Sequence, residues 1–176
     1  MALGATVFKV VMNVADMNRH YYEQHELTVA QHPSENDYRL MVRLIAFALN
    51  ASESLAFTKG INSDDEPELW QKSLSDEIEL WIDFGQVDEK RIRKACGKSK
   101  EVRIYTYHDK KSAEWWKQNK KTFSRHKNLS VYHLQAEGCD ALISRKMDLQ
   151  CSIDEDTLLL TDDSNSVNIT VQELAF

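Results

Sequence analysis

Between residues 62 and 94 the chain runs from an acidic loop, Asp64-Asp65-Glu66-Pro67-Glu68, into Ile78-Glu79-Leu80-Trp81-Ile82-Asp83. It then passes a glycine break at Gly85 and enters a cationic segment carrying Lys90, Arg91, Arg93 and Lys94. The apolar run is a strand with a carboxylate near its end, and the cationic segment is a helix. Carboxylates at strand and loop ends can hold a hard divalent cation, and cations beyond them can meet a phosphate. The order of these groups therefore points to a metal-assisted phosphodiester site, although acidic loops and basic helices also occur as plain solvated surface.

Asp83 is the central residue of that expectation. In a strand Ile78, Leu80 and Ile82 point one way while Glu79, Trp81 and Asp83 point the other. A carboxylate ending an apolar strand is poorly solvated unless it meets a cation or a hydrogen-bond donor. A metal would serve, and so would nearby backbone amides. One or two of Asp64, Asp65, Glu66 and Glu68 are expected to join Asp83, each having the alternative of a turn residue or helix cap. Glu35, in the first turn of an upstream helix, supplies a third carboxylate, with a dipole interaction or an i,i+4 pair with Arg39 as its structural alternative. Lys94 and Arg91 are the cations expected to orient water or phosphate.

Working outward, Thr6, Phe8, Val10, Met12 and Val14 fall on one face of a strand, and residues 21–29 read as its antiparallel partner across a turn at 16–20. Ser34 is expected to cap a helix whose buried stripe is Leu40, Met41, Leu44, Ile45 and Ala48. Residues 55–58 suggest a short strand, and Pro67 opens a brief expected helix through Leu69 and Trp70. Asp88 caps a helix to about Lys98. A strand at 101–107, a helix at 110–123 and a strand at 129–134 follow, implying parallel pairing at the sheet centre. Residues 146–153, 157–161 and 166–174 read as a meander of edge strands. The fold class expected is mixed α/β (α+β), in one domain over residues 1–176.

Composition narrows the function. A hydrophobic content of 42% with 28% charged residues is that of a globular protein. The start of the chain lacks a signal-peptide pattern, no run reaches membrane-spanning length, and three cysteines without a CxxC pair suit a reducing cytoplasm. The net charge of −6 is unevenly placed. Residues 89–127 hold 14 Lys/Arg against 4 Asp/Glu, and the remainder holds 8 against 24. That sorting suggests a basic face for a polyanion. Trp115-Trp116-Lys117 and Lys120-Lys121-Thr122-Phe123 interleave aromatics with cations as a nucleic-acid groove does, while two or three of the aromatics are expected in the core. No Walker loop, GxSxG or GxGxxG is present, and the histidines lack metal-ligand spacing.

The opening Met-Ala-Leu, His32-Pro33-Ser34-Glu35, Phe57-Thr58-Lys59-Gly60 and Asp64-Asp65-Glu66-Pro67-Glu68 together resemble the bacterial YaeQ family. Leu80-Trp81-Ile82-Asp83, Arg91-Ile92-Arg93-Lys94-Ala95 and Asn128-Leu129-Ser130-Val131 extend the resemblance essentially from end to end. It implies a variant of the PD-(D/E)XK, restriction-endonuclease-like fold: a central mixed β-sheet flanked by helices, with additional antiparallel strands. It also implies Glu35 as the helix acid, the Asp65–Glu68 loop as the first strand-loop acid and Asp83 as the second. The lysine expected two residues after that acid is Gly85 here, with Gln86 beside it and Lys90 or Lys94 as migrated cations. The function expected first is a cytoplasmic Mg²⁺-dependent nuclease in which Asp83 with Asp65 or Glu68 binds the metal, Glu35 completes the site, and Lys94 or Gln86 positions water. The alternative is an inactive nuclease fold that binds nucleic acid or a transcription-machinery protein. Arg91, Lys117, Lys120 and Lys121 are the residues expected on nucleic acid.

Overall fold

In the computed structural model, residues 4–58 and 64–176 are described. Its elements begin β1 (Thr6–Asp16), β2 (Tyr21–Gln31), α1 (Asp37–Asn50), β3 (Leu55–Phe57), β4 (Leu69–Lys72), β5 (Ile78–Phe84) and α2 (Glu89–Lys98). They continue with β6 (Ser99–Thr106), α3 (Asp109–Phe123), β7 (Leu129–Gln135), a 3-10 turn (Cys139–Leu142), β8 (Lys146–Asp154), β9 (Thr157–Thr161) and β10 (Ser166–Glu173). The fold is mixed α+β. The chain divides into two compact units, Met1–Ala51 with Gln135–Val171, and Ser52–Leu134 with Gln172–Phe176. Lys59-Gly60 and the opening Met-Ala-Leu lie outside the described residues.

In the first unit, period-two alternation sets the register. Phe8, Val10, Met12 and Val14 are buried, and β1 pairs antiparallel with β2, Phe8 opposite Val29 and Val14 opposite Glu23. β1 also pairs parallel with β8, and β8 antiparallel with β9, which continues to β10. The last strands were expected at sheet edges. β8 instead has β1 on one side and β9 on the other, a placement that alternation cannot reveal because it reports faces, not neighbours. α1 is buried along its whole middle, Leu40 to Ala48, Arg43 included. Its N-cap is Asn36, whose side chain accepts from the Arg39 amide at 2.9 Å, and not Ser34. Ser34 bonds the ring of His32 instead. Both are good capping residues, and the two positions were not separable from the sequence.

In the second unit, β5, β6 and β7 run parallel, with α2 and α3 as crossovers, and β3 and β4 add antiparallel strands beyond β5. Leu69 and Trp70 were expected in a helix. They form β4, paired opposite Ile82 and Trp81. The backbone edge of β5 supplies ladder hydrogen bonds that a one-turn helix could not match, so tertiary pairing overrides the local signal. β5 is buried from Leu80 to Phe84. Its Trp81 faces α2 and α3 in a core with Ile92, Ala95, Val102, Ile104, Trp115, Phe123 and Val131. Asp88 caps α2 as expected, accepting from the Arg91 amide at 2.8 Å. Among the described residues no helix is long and apolar enough to cross a membrane.

Candidate acidic centre and basic face

The end of β5, the loop before β4 and the first turns of α2 converge on Asp83. Its carboxylate is almost fully buried and accepts four N–H groups. Oδ2 takes the Trp81 indole at 2.8 Å and Arg91 Nε at 2.8 Å; Oδ1 takes Arg91 Nη2 at 3.1 Å and the Glu68 amide at 3.2 Å. The indole reaches it because Trp81 and Asp83 share a strand face. The guanidinium reaches it because α2 follows β5 after a tight break at Gly85. The fork of Arg91 is thus bidentate, the strong geometry for a carboxylate. Arg91 also donates to the Glu66 carbonyl at 2.9 Å and lies 5.7 Å from the Trp81 ring centroid. Burial pulls the acidity of this guanidinium the other way. The hydrogen bonds and charge of Asp83, with the charges of Glu68 and Asp64, outweigh it and raise the pKa.

The remaining predicted residues fall as follows. Asp65 is largely exposed and accepts from Lys94 Nζ at 2.7 Å, with Lys98 at 3.8 Å. The Lys94 hydrogen bond, then the Lys94 and Lys98 charges, hold its carboxyl below the ordinary value of 3.8. Glu68 is buried beside Asp83, and its backbone is fixed by Thr58, whose amide donates to the Glu68 carbonyl at 3.1 Å. Gln86 is exposed, with Nε2 at 3.5 Å from Ser112 Oγ. Glu35 belongs to the first unit. There it is gripped by Arg39 Nη1 at 2.7 Å and by Arg43 through Nη2 at 2.6 Å and Nε at 3.0 Å. The i,i+4 pair with Arg39 was readable as Glu35's structural alternative. Arg43 was not, though an arginine inside an apolar helical stripe was the available signal.

The acidic loop and cationic helix therefore do meet, and they meet as partners of each other. This arrangement does not fit a divalent ion. Such an ion needs carboxylate lone pairs facing an open position, whereas the four accepting directions of Asp83 are filled by N–H donors and Asp65 is paired to lysine. Among the described residues no group of three or more His, Cys, Asp or Glu side chains is arranged to hold a metal. Gly85 has φ +84°, a left-handed backbone that a residue with a side chain adopts only under strain. The thiols are no alternative nucleophiles, since burial pushes Cys139 and Cys151 up to about 12 and Cys96 up to about 11.

α3 is different. Lys110, Lys111, Lys117, Lys120 and Lys121 are exposed along it, and Arg125 and Lys127 follow. None of them has an ion-pair partner among the described residues. Of the interleaved aromatics, Trp115 and Phe123 are in the core, as expected, while Trp116 is only half-buried.

The fold is mixed α+β, with a parallel three-strand core and antiparallel additions in the second unit, and antiparallel strands with one parallel pair in the first. The chain belongs to the YaeQ family, whose model, described as YaeQ protein, matches residues 1–171. An uncharacterized YaeQ protein of Escherichia coli (strain K12) is 41% identical over 174 residues, covering 97% of this chain and 96% of that one. One of Salmonella typhi is 39% identical over 172 residues, 96% and 95% of the two chains. Among solved structures, the YaeQ protein from Xanthomonas axonopodis pv. citri superposes with a TM-score of 0.92 at 42% identity, covering 96% of this chain and 97% of that one. The YaeQ protein from Pseudomonas syringae gives 0.90 at 31% identity, covering 98% and 97%.

Proposed function

We propose that this protein is a nucleic-acid-binding module that recognises phosphate through α3 and the turn after it, and that the Asp83 centre serves the fold instead of a catalytic metal. On this reading the fold is a PD-(D/E)XK, restriction-endonuclease-like one that has kept the acids of a nuclease and lost the chemistry. The observation that carries it is the contrast between two basic helices. Four of the five α2 cations are paired, Arg91 with Asp83, Lys94 and Lys98 with Asp65 and Arg93 with Glu89, leaving Lys90, whereas none of the α3 lysines has an acidic partner among the described residues. Unpaired exposed cations release counterions when they meet phosphate, which is the main source of non-specific nucleic-acid affinity. The three free cysteines suit a reducing compartment such as the cytoplasm.

The test is binding of a fluorescent oligonucleotide at low salt. Reversing Lys117, Lys120 and Lys121 to glutamate abolishes binding, and Asp83→Asn leaves it intact at temperatures where both variants are folded. Binding that survives the reversal, together with Mg²⁺-dependent cleavage lost in Asp83→Asn, would restore the nuclease in place of the binding module.

A further inference from the structure

Two of the aromatic residues that alternate with lysine on α3 are accounted for by packing. Trp115 is buried, with its indole donating to the Val87 carbonyl at 2.9 Å, and Phe123 is fully buried. Trp116 is not. Its ring lies 5.1 Å from that of Phe176, tilted by 51°, and Phe176 is 47% exposed. The tail is held in that place by its neighbour: Leu174 packs against the α2–α3 core and its amide donates to the Val131 carbonyl at 2.8 Å. An anchored tail thus carries a phenyl ring to the side of a half-exposed indole.

Exposed lysines lie on the same helix as Trp116, and the exposed Glu173 stands three residues before Phe176. Lys120 lies one helical turn on from Trp116 and shares its face, Lys117 adjoins Trp116 in sequence but stands about 100° round the helix, and Lys121 lies one turn beyond Lys117. Glu114, two positions before Trp116, falls on the far side of the helix. Exposed aromatic surface beside unpaired lysines matches one ligand chemistry closely. Lysines take the phosphates while ring faces take unstacked bases, and a duplex offers the phosphates but keeps its base faces hidden.

Resting on the nucleic-acid reading above, we infer that Trp116 and Phe176 form a base-stacking platform and that the occupant of the α3 face is single-stranded nucleic acid. The experiment compares one labelled mixed-sequence oligonucleotide, single-stranded and as its duplex, by fluorescence anisotropy with the full chain. The single strand binds about ten-fold or more tighter than the duplex, as expected for one or two stacked bases. Trp116→Ala and Phe176→Ala each remove most of that advantage without changing duplex affinity, and Trp116→Phe retains it. Phe176 is exposed enough that its variant reports on the platform even where Trp116→Ala disturbs folding. Equal affinity for both forms, or alanine variants that bind the single strand as the wild type does, would overturn the platform and leave the cationic face standing. Absence of binding to either form at low salt would overturn both.

Discussion

A carboxylate closing a buried strand has to be neutralised or hydrogen-bonded, and for Asp83 the neutralising charge is Arg91. Glu35 solves the same problem with Arg39 and Arg43. Because Asp83 is buried and Arg91 only partly exposed, removing the carboxylate strands a guanidinium with weaker partners. Asp83→Asn is expected to lower stability by about 2–3 kcal/mol, measured by urea unfolding. An effect within experimental error would show that the pair is not formed in solution. Asp65 behaves differently, since it lies in solvent. Its folded pKa is depressed, so whatever its lysine contacts contribute is present above the ordinary value near 3.8 and disappears as pH falls through the lower folded value. Carboxyl NMR should find Asp65 below that value in the wild type and shifted back up in Lys94→Ala; coincident titrations would rule out the Lys94 contact. At this scale the sequence told that Asp83 needed a donor. It could not tell a metal from an arginine one helix away, because both satisfy the same electrostatic demand.

Elements were more legible than partners. The hairpin, the stripe of α1, the Asp88 cap of α2 and the strand from Ile78 to Phe84 all follow from local periodicity, and the structure bears them out. β4 was misread because its strand character comes from pairing with β5, which no short window contains. Gly85 marks the joint between β5 and α2, with its amide donating to the Tyr105 carbonyl at 2.9 Å. A substitution that installs the lysine of the nuclease pattern there, Gly85→Lys, places a side chain on a backbone with φ +84°. It should destabilise the protein by about 1–2 kcal/mol and confer no cleavage. A gain of Mg²⁺-dependent cleavage in this variant would mean that only the lysine was missing.

Over the whole molecule, charge sorting was visible in the sequence and its meaning was not. The parallel pairing of β1 with β8 joins segments far apart in the chain, and the matching of α2 with the acidic loop depends on that loop folding back toward β5. Both are long-range contacts outside the reach of spacing rules. With Arg91, Arg93, Lys94 and Lys98 of α2 matched to acids, most of the asymmetry between the basic segment and the acidic remainder lies in α3 and its following turn, with Lys90 besides. The most direct measurement of the central claim is the salt dependence of single-stranded oligonucleotide affinity for the wild type, for Asp83→Asn and for the triple variant with Lys117, Lys120 and Lys121 changed to glutamine. With about 0.7 of a counterion released per phosphate neutralised on a single strand, the slope of log affinity against log salt should fall by about 2 in the triple variant and stay unchanged in Asp83→Asn. A slope unaltered by loss of the three lysines, with affinity instead requiring Asp83 and Mg²⁺, would contradict the account.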